Sequence, residues 1–178
     1  MMQYDPIKIA KATGSKVEDV QKALPLIVKE LGGPAAFDHP AFPIAILATA
    51  AVECHFKPVT EYGAVAYFKR YEGRKDLGNT QPGDGYKYRG RGYVQITGRA
   101  NYDSYGKIIG VDLVNNPDLA LDPDIAAKIL VAYCKKHGID VWASRGHWVK
   151  VRKLVNGGTN GLGPFLTYVW NLLDLTYV

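Results

Sequence analysis

Residues 83–102 read GDGYKYRGRGYVQITGRANY, and this stretch decides what fold the rest of the chain is expected to have. Its glycines mark turns, because glycine adopts the positive φ angles that tight turns require. Residues 93–97 alternate in period two, which predicts a short strand with its apolar side chains on one face and polar ones on the other. A ring, an amide and a hydroxyl on the polar face suit a polyhydroxylated ligand, and they come from Tyr93, Gln95 and Thr97. An ordinary β-hairpin, in which the glycines turn and the tyrosines pack, is the alternative.

The remainder of the chain is predicted to be mainly helical. Residues 42–55 are apolar on all sides and rich in alanine, which predicts a buried central helix with Glu53 near its C-terminal end. Residues 123–137 predict a second central helix. Further helices are expected at residues 5–12, 17–31 with a capping box from Ser15 and Glu18, 64–71, 99–110, 147–155 and 164–177. The fold class is therefore mainly α (α+β), in a single domain of residues 1–178 with one small β-hairpin region.

Composition limits the classes of partner. The chain has 22 Lys and Arg against 17 Asp and Glu, a net charge of +5, spread along its length. Such a spread favours an anionic polysaccharide or cell envelope over nucleic acid. No run of about 18 apolar residues exists, so no transmembrane helix is expected. The N-terminal residues MMQYDPIKIAKATGSK lack the apolar segment of a secretory signal, which predicts synthesis in a cytosol.

The cysteines and histidines give no sign of a metal site. Cys54 and Cys134 lie in apolar helical patterns, which favours buried free thiols over a disulfide. The four histidines show no metal-ligand spacing. We therefore expect no metal ion.

Two glutamates, Glu53 and Glu61, are the candidates for acid–base chemistry. Burial and the partial negative charge at a helix C-terminus both disfavour a carboxylate, so we expect a raised pKa for Glu53, which suits a general acid. Glu61 lies in a polar loop and should stay ionised, which suits a general base. The alternatives are a structural Glu53 paired with Arg89 or Arg91, and a solvated loop charge at Glu61.

Four separated motifs resemble glycoside hydrolase family 19, the chitinase-like enzymes that include many phage endolysins. They are VECHFKPVTEYG at 52–63, the opening stretch at 83–102, DLVNNPDLALDP at 112–123 and VRKLVNGGTNGLG at 151–163. The resemblance covers roughly residues 40–163 in the expected order. It implies a lysozyme-like domain whose small β region lies beside a cleft, and a glycoside hydrolase activity that needs no cofactor.

The resemblance also implies roles for individual residues. Glu53 would be the general acid and Glu61 the general base, although Val52 stands where the family usually has a histidine. Thr97 would hold the attacking water. Sugar-binding roles would fall to Gln95, Asn101 and Asn156, with Arg91 and Tyr93 as wall residues. The implied mechanism is inverting, for which the two carboxyl groups are usually about 6.5–9.5 Å apart.

We expect an endolysin that cuts β-1,4 bonds in the glycan strands of bacterial peptidoglycan. Two alternatives stay open: a chitinase acting on β-1,4-linked N-acetylglucosamine, and a non-catalytic module that binds sugar or cell wall. We expect a monomer that neither binds nucleic acid nor inserts stably into a membrane. It would stay in the host cytoplasm until lysis and then reach the periplasm and cell wall through a holin.

Overall fold

The structure is a computed structural model, and it describes residues 5–176. Within these residues nine α-helices surround one very small sheet. The helices are α1 Pro6–Thr13, α2 Val17–Glu30, α3 Ala41–Cys54, α4 Asp84–Lys87, α5 Arg99–Ile109, α6 Pro123–Lys136, α7 Ile139–Ser144, α8 Trp148–Asn156 and α9 Leu162–Asp174. Short 3-10 helices cover Pro34–Asp38, Val65–Tyr71, Lys75–Leu77 and Pro117–Leu121. The mainly helical class predicted from sequence is confirmed.

Helix α3 is the centre of the fold. Its residues Pro43 to Ala51 are all buried. Several of them are alanines, whose small side chains let neighbouring helices approach closely. Helices α6, α7, α8 and α9 all contact α3. The predicted buried helix at residues 42–55 is therefore confirmed, and the motif that carries Glu53 begins at the end of the most buried element.

The sheet consists of two antiparallel strands, β1 Val59–Thr60 and β2 Arg91–Gly92. Val59 lies opposite Gly92 in the register. The strand predicted at residues 93–97 is wrong, because residues 93–95 form a turn and only Ile96 makes an isolated bridge, to Arg91. Gln95 adopts a φ of +55°, which breaks the alternation that a strand needs.

Two details of the helices differ from the sequence-based expectation. Helix α2 has Lys16 at its N-cap without a side-chain cap, and the Ser15 hydroxyl accepts a hydrogen bond from Thr13, so the predicted capping box is wrong. Helices α4 and α7 were not predicted; each is short and follows a glycine in the left-handed conformation. The predicted end of the last helix at Tyr177 lies outside the described residues.

A buried ion pair fixes the loop before β2 to the start of α5. Asp84 accepts two hydrogen bonds from Arg99, at 2.9 Å from Nε and 2.6 Å from Nη2. It also accepts the backbone N–H groups of Thr80 and Gln81. Arg99 holds the pKa of Asp84 below its usual value, with help from these backbone donors and against the effect of burial. The ion pair between Asp84 and Arg99 thus ties together the two ends of the segment that contains residues 88–98.

Candidate active site

Glu53 is the penultimate residue of α3, and its side chain is 16% exposed. Its Oε1 is paired with Nη1 of Arg152, a residue of α8 whose side chain is only 3% exposed. Nε of Arg152 donates a 2.8 Å hydrogen bond to the carbonyl oxygen of Asn160. The guanidinium therefore joins the end of α3 to the glycine-rich loop after α8.

The chain turns sharply after Glu53. His55 and Phe56 have φ angles of +48° and +63°, a left-handed conformation that costs a non-glycine residue about 1–2 kcal/mol. The turn buries the Phe56 side chain in the core and directs the chain into β1. Because Glu61 follows β1 immediately, a tight, packed turn sets the position of Glu61 relative to Glu53.

Glu61 is bound by donors on both carboxylate oxygens. Oε1 accepts hydrogen bonds from Nη2 of Arg70 and from the hydroxyl of Tyr71, each at 2.9 Å. Oε2 accepts the N–H of Gly90 at 3.1 Å, and the N–H of Glu61 donates to the carbonyl oxygen of Gly90 at 2.8 Å. Three donors, one of them the cation Arg70, therefore hold the Glu61 carboxylate in place.

Gly90 lies against both Glu61 and the following turn. A Cβ atom at this position would lie 2.9 Å from Oε1 of Gln95 and 3.2 Å from Oε2 of Glu61. The absence of a side chain therefore allows the carboxylate and the Gln95 amide to approach the same point of the backbone. The Gln95 Nε2 donates to the carbonyl oxygens of Val59 and Gly92, at 2.8 and 2.9 Å. The Gln95 amide thus links β1 to β2 beside Glu61.

Thr97 and Asn101 extend this hydrogen-bonded turn. The Thr97 hydroxyl donates to the carbonyl oxygen of Gln95 at 3.2 Å, and the Asn101 Nδ2 donates to the carbonyl oxygen of Thr97 at 2.7 Å. Both side chains are half-buried. A hydroxyl that donates its proton still has lone pairs with which to accept one, so Thr97 can hold a water molecule in this arrangement.

Two predicted wall residues are buried instead. Tyr93 is 1% exposed, and Arg91 is 2% exposed with its Nε 2.8 Å from Oδ1 of Asp118. Arg91 also donates to the hydroxyl of Tyr102, whose pKa burial raises to about 12. The prediction that Tyr93 and Arg91 face a ligand is therefore wrong, because the turn at residues 93–95 sends Tyr93 into the core. The arginine paired with Glu53 is Arg152, so neither Arg89 nor Arg91 plays the predicted structural role.

The other predicted residues are connected through the same turn. Glu61 bonds Gly90, and the Sγ of Cys54, next to Glu53, lies 3.7 Å from the carbonyl oxygen of Tyr93. The segments that carry the two glutamates thus both contact residues 90–93. Asn156 is exposed at the C-terminal end of α8, one turn after Arg152. The catalytic and sugar-binding roles of these residues stay predictions.

The sequence reasoning missed three side chains at this site: Arg152, Arg70 and Tyr71. Arg152 lies 99 residues from Glu53, so no local pattern connects them. Its place inside the VRKLVNGGTNGLG motif was a usable signal, since the residue one helical turn before Asn156 shares a face with it. Arg70 and Tyr71 lie in the short helix after Glu61, where the letters KRY place a cation and a hydroxyl close to the carboxylate.

The structure offers no obvious metal centre. Among residues 5–176 no group of three or more His, Cys, Asp or Glu side chains is arranged to hold a metal ion. Cys54 and Cys134 are free and buried, as predicted, and burial raises the pKa of the Cys54 thiol to about 12.

Comparisons with known proteins agree with this architecture. The family model described as "Chitinase class I" matches residues 65–137. A glycosyl hydrolase family 19 domain-containing protein of Haemophilus influenzae is 39% identical over 92 residues, 52% of this chain and 44% of that protein. The chain is similar to glycoside hydrolase family 19 over the matched region.

Solved chitinase structures share the fold of this chain. A bacterial family 19 chitinase superposes with a TM-score of 0.71 at 20% identity, covering 96% of this chain and 94% of that chain. Chitinase C from Streptomyces griseus gives a TM-score of 0.67 at 16% identity, covering 97% and 75%.

The sequence matches to curated relatives are shorter. Endochitinase B of Nicotiana tabacum is 58% identical over 45 residues, 25% of this chain and 14% of that protein. The chain thus spans less than half the length of the curated relatives that it matches. The family-matched region includes Gln95, Thr97 and Asn101, whereas Glu53 and Glu61 precede it.

Proposed function

We propose that this chain is a family 19 glycoside hydrolase that cuts β-1,4 bonds between N-acetylated sugars, with Glu53 as general acid and Glu61 as general base. One observation carries the proposal. The segments bearing the two glutamates both contact the turn that presents Gln95 and Thr97, and Glu61 lies against that turn through Gly90. Glycoside hydrolysis usually requires two carboxyl groups at one site, and these contacts bring both segments to the same turn.

The proposed mechanism inverts the anomeric centre. A water molecule held by the Glu61 carboxylate and the Thr97 hydroxyl attacks the anomeric carbon, and Glu61 takes a proton from it. The bond from this carbon to the glycosidic oxygen breaks on the opposite face, and Glu53 gives its proton to that oxygen. The reaction consumes water alone, so it needs no cofactor.

In this proposal the pair with Arg152 fixes the direction of the Glu53 carboxyl group, which a proton donor needs.

Peptidoglycan is the proposed substrate. The net charge of +5 supports attraction to an anionic cell envelope. In this proposal a monomer made in a host cytoplasm acts on glycan strands of the cell wall once lysis admits it there. Among the described residues no helix is long and apolar enough to cross a membrane. Chitin is the second candidate, and it is favoured by relatives such as the tobacco endochitinase, whose name states that activity.

The test compares the wild type with Glu53→Gln and Glu61→Gln on purified peptidoglycan and on chitin oligomers. We expect each variant to lose about 10²–10⁴ in rate while keeping its affinity for sugar. Glu18→Gln, an isosteric change at an exposed residue of α2, is the matched control and should keep full activity.

Mass spectrometry of the products identifies the bond that is cut, and NMR of the fresh reducing end identifies its anomer. Hydrolysis of chitin oligomers without any cutting of peptidoglycan would select the second candidate. An unchanged rate for Glu53→Gln would exclude its role as the acid. Sugar binding without hydrolysis by the wild type would indicate a non-catalytic module.

A further inference from the structure

A groove between α8 and α9 is lined by two of the tryptophans of the protein. The three tryptophans of the chain, Trp142, Trp148 and Trp170, lie in the last three helices. Trp148 and Trp170 line a cavity of about 480 Å³, together with His147, Val149, Lys150 and Lys153. We call this cavity the tryptophan groove.

The groove presents apolar surface to water. Trp170 is 56% exposed, and Val149 is 44% exposed, whereas Trp148 is buried at the floor. A contiguous exposed apolar patch on a protein of this size usually marks a binding surface. Trp170 contributes the flat face of an indole, which packs against any ligand that has an apolar face of its own.

The charge of the groove is uniformly positive. Lys150 and Lys153 line it, and none of the described residues that line it is acidic. Nζ of Lys150 and Cζ of Arg145 lie 5.6 and 5.9 Å from the centre of the Trp142 ring, which holds further cations beside the groove. A ligand for this surface must therefore combine negative charge with flat apolar faces.

Helix α8 connects the groove to the candidate active site. Its Arg152 is buried and pairs with Glu53, whereas Lys153 and Asn156 are exposed. Val149, Lys153 and Asn156 follow the spacing i, i+4, i+7 and so share one face of the helix. From Val149 to Asn156 the helix rises by about 10 Å at 1.5 Å per residue. A polymer that contacts Asn156 can therefore continue into the groove.

We propose that the tryptophan groove is a second binding surface for the glycan strand, outside the site of cleavage. The indole face of Trp170 packs against the C–H face of a sugar ring, and Lys150 and Lys153 attract the carboxylates that peptidoglycan carries on its stem peptides. The naming of peptidoglycan as the occupant rests on the proposed function.

The test measures binding of the Glu53→Gln protein to insoluble, purified peptidoglycan by co-sedimentation, so that no strand is cut. We expect Lys150→Ala/Lys153→Ala to weaken binding about tenfold at low salt and less at 0.5 M salt, because salt screens exposed charges. Trp170→Leu keeps an apolar side chain but removes the flat ring, and we expect a loss of similar size that salt does not diminish.

Two matched variants serve as controls. Lys135→Ala/Lys136→Ala removes the same charge from lysines that line a different cavity, and Ile108→Ala removes another exposed apolar side chain there. Binding equal to that of the controls for both groove variants would overturn the proposal. So would an equal loss for both lysine pairs, which would indicate attraction by net charge alone.

Measurements of activity distinguish a failure of this inference from a failure of the proposed function. With Glu53 intact, the groove variants should cut a short soluble chitin oligomer at the wild-type rate and insoluble peptidoglycan more slowly. If the wild type cuts neither substrate, the proposed function fails, while the binding measurements still decide the groove. If the Lys150→Ala/Lys153→Ala protein binds neutral chitin less tightly than the lysine control does, the assignment of the lysines to carboxylates is wrong.

Discussion

Replacement of Asp84 by asparagine tests how the turn beside the candidate site is held. The Asp84 side chain is 2% exposed and accepts four hydrogen bonds, two from Arg99 and two from backbone N–H groups. Asparagine has one acceptor oxygen in place of two and points an NH₂ group at these donors. Hydrogen bonds to charged groups contribute about 1.5–3 kcal/mol each, and breaking a buried pair costs about 3–5 kcal/mol. Because Arg99 is partly exposed, we expect the lower end, about 3 kcal/mol.

The effect should depend on pH in a defined direction. The pKa of Asp84 in the folded protein lies below the usual value of 3.8, chiefly because Arg99 bonds the carboxylate. A lowered pKa contributes stability that is fully present above the unfolded value and is lost as pH falls through the folded value. The difference between the wild type and Asp84→Asn should therefore be constant from pH 7 to about 5 and shrink below pH 3.8.

Urea denaturation followed by far-UV circular dichroism measures this difference at each pH. Asp76→Asn is the control, since Asp76 also pairs with an arginine, Arg74, but its side chain is 61% exposed. Solvent screens such a pair, so we expect no measurable change. A loss for Asp84→Asn no larger than that for Asp76→Asn at pH 7 would refute the anchoring role. A difference that persists undiminished well below pH 3.8 would refute the ionised state of Asp84 as its source.

Three further outcomes are expected. Thr97→Val should lower kcat about tenfold to a hundredfold with little change in KM, measured on chitin oligomers, because it removes the hydroxyl proposed to position water. Cys54 should resist thiol reagents in the native protein, because a pKa of about 12 leaves about one thiol in 10⁴ ionised at pH 8. Glu53→Met/Arg152→Met should abolish hydrolysis yet leave the midpoint of urea unfolding near or above that of the wild type. Glu53→Met alone should lower this midpoint, because the single change leaves the buried Arg152 cation without its partner.

The parts of the fold that follow from local rules could be predicted from sequence. Residues 42–55 combine an apolar run with alanine, and such a run has no stable place except in a core, so the central helix α3 was predictable. Helix α6 was predictable from its start, because Asp122 caps the helix and Pro123 is its first residue. Short helices such as α4 and α7 carry too few turns for a periodic pattern to form.

The turn at residues 93–95 could not be predicted from its letters. Two apolar side chains in five residues fit a strand, and they fit equally a turn that buries both of them. What decides between the two is the left-handed conformation of Gln95, and glutamine carries no preference for it. The Gln95 side chain compensates by bonding Val59 and Gly92, which are far apart in sequence and meet only in the folded protein.

The Glu53–Arg152 pair bears on whether this site is functional or merely structural. A partly buried ion pair is seldom more stabilising than a well-packed apolar pair of similar size, because both charges lose hydration. The two residues that follow, His55 and Phe56, also adopt a conformation that is unfavourable for side chains like theirs. Both unfavourable features lie at the end of a helix whose other residues are apolar and well packed. Stability alone does not explain why these two features occur together. A need to hold the Glu53 carboxyl group in one direction beside a fixed turn would explain both.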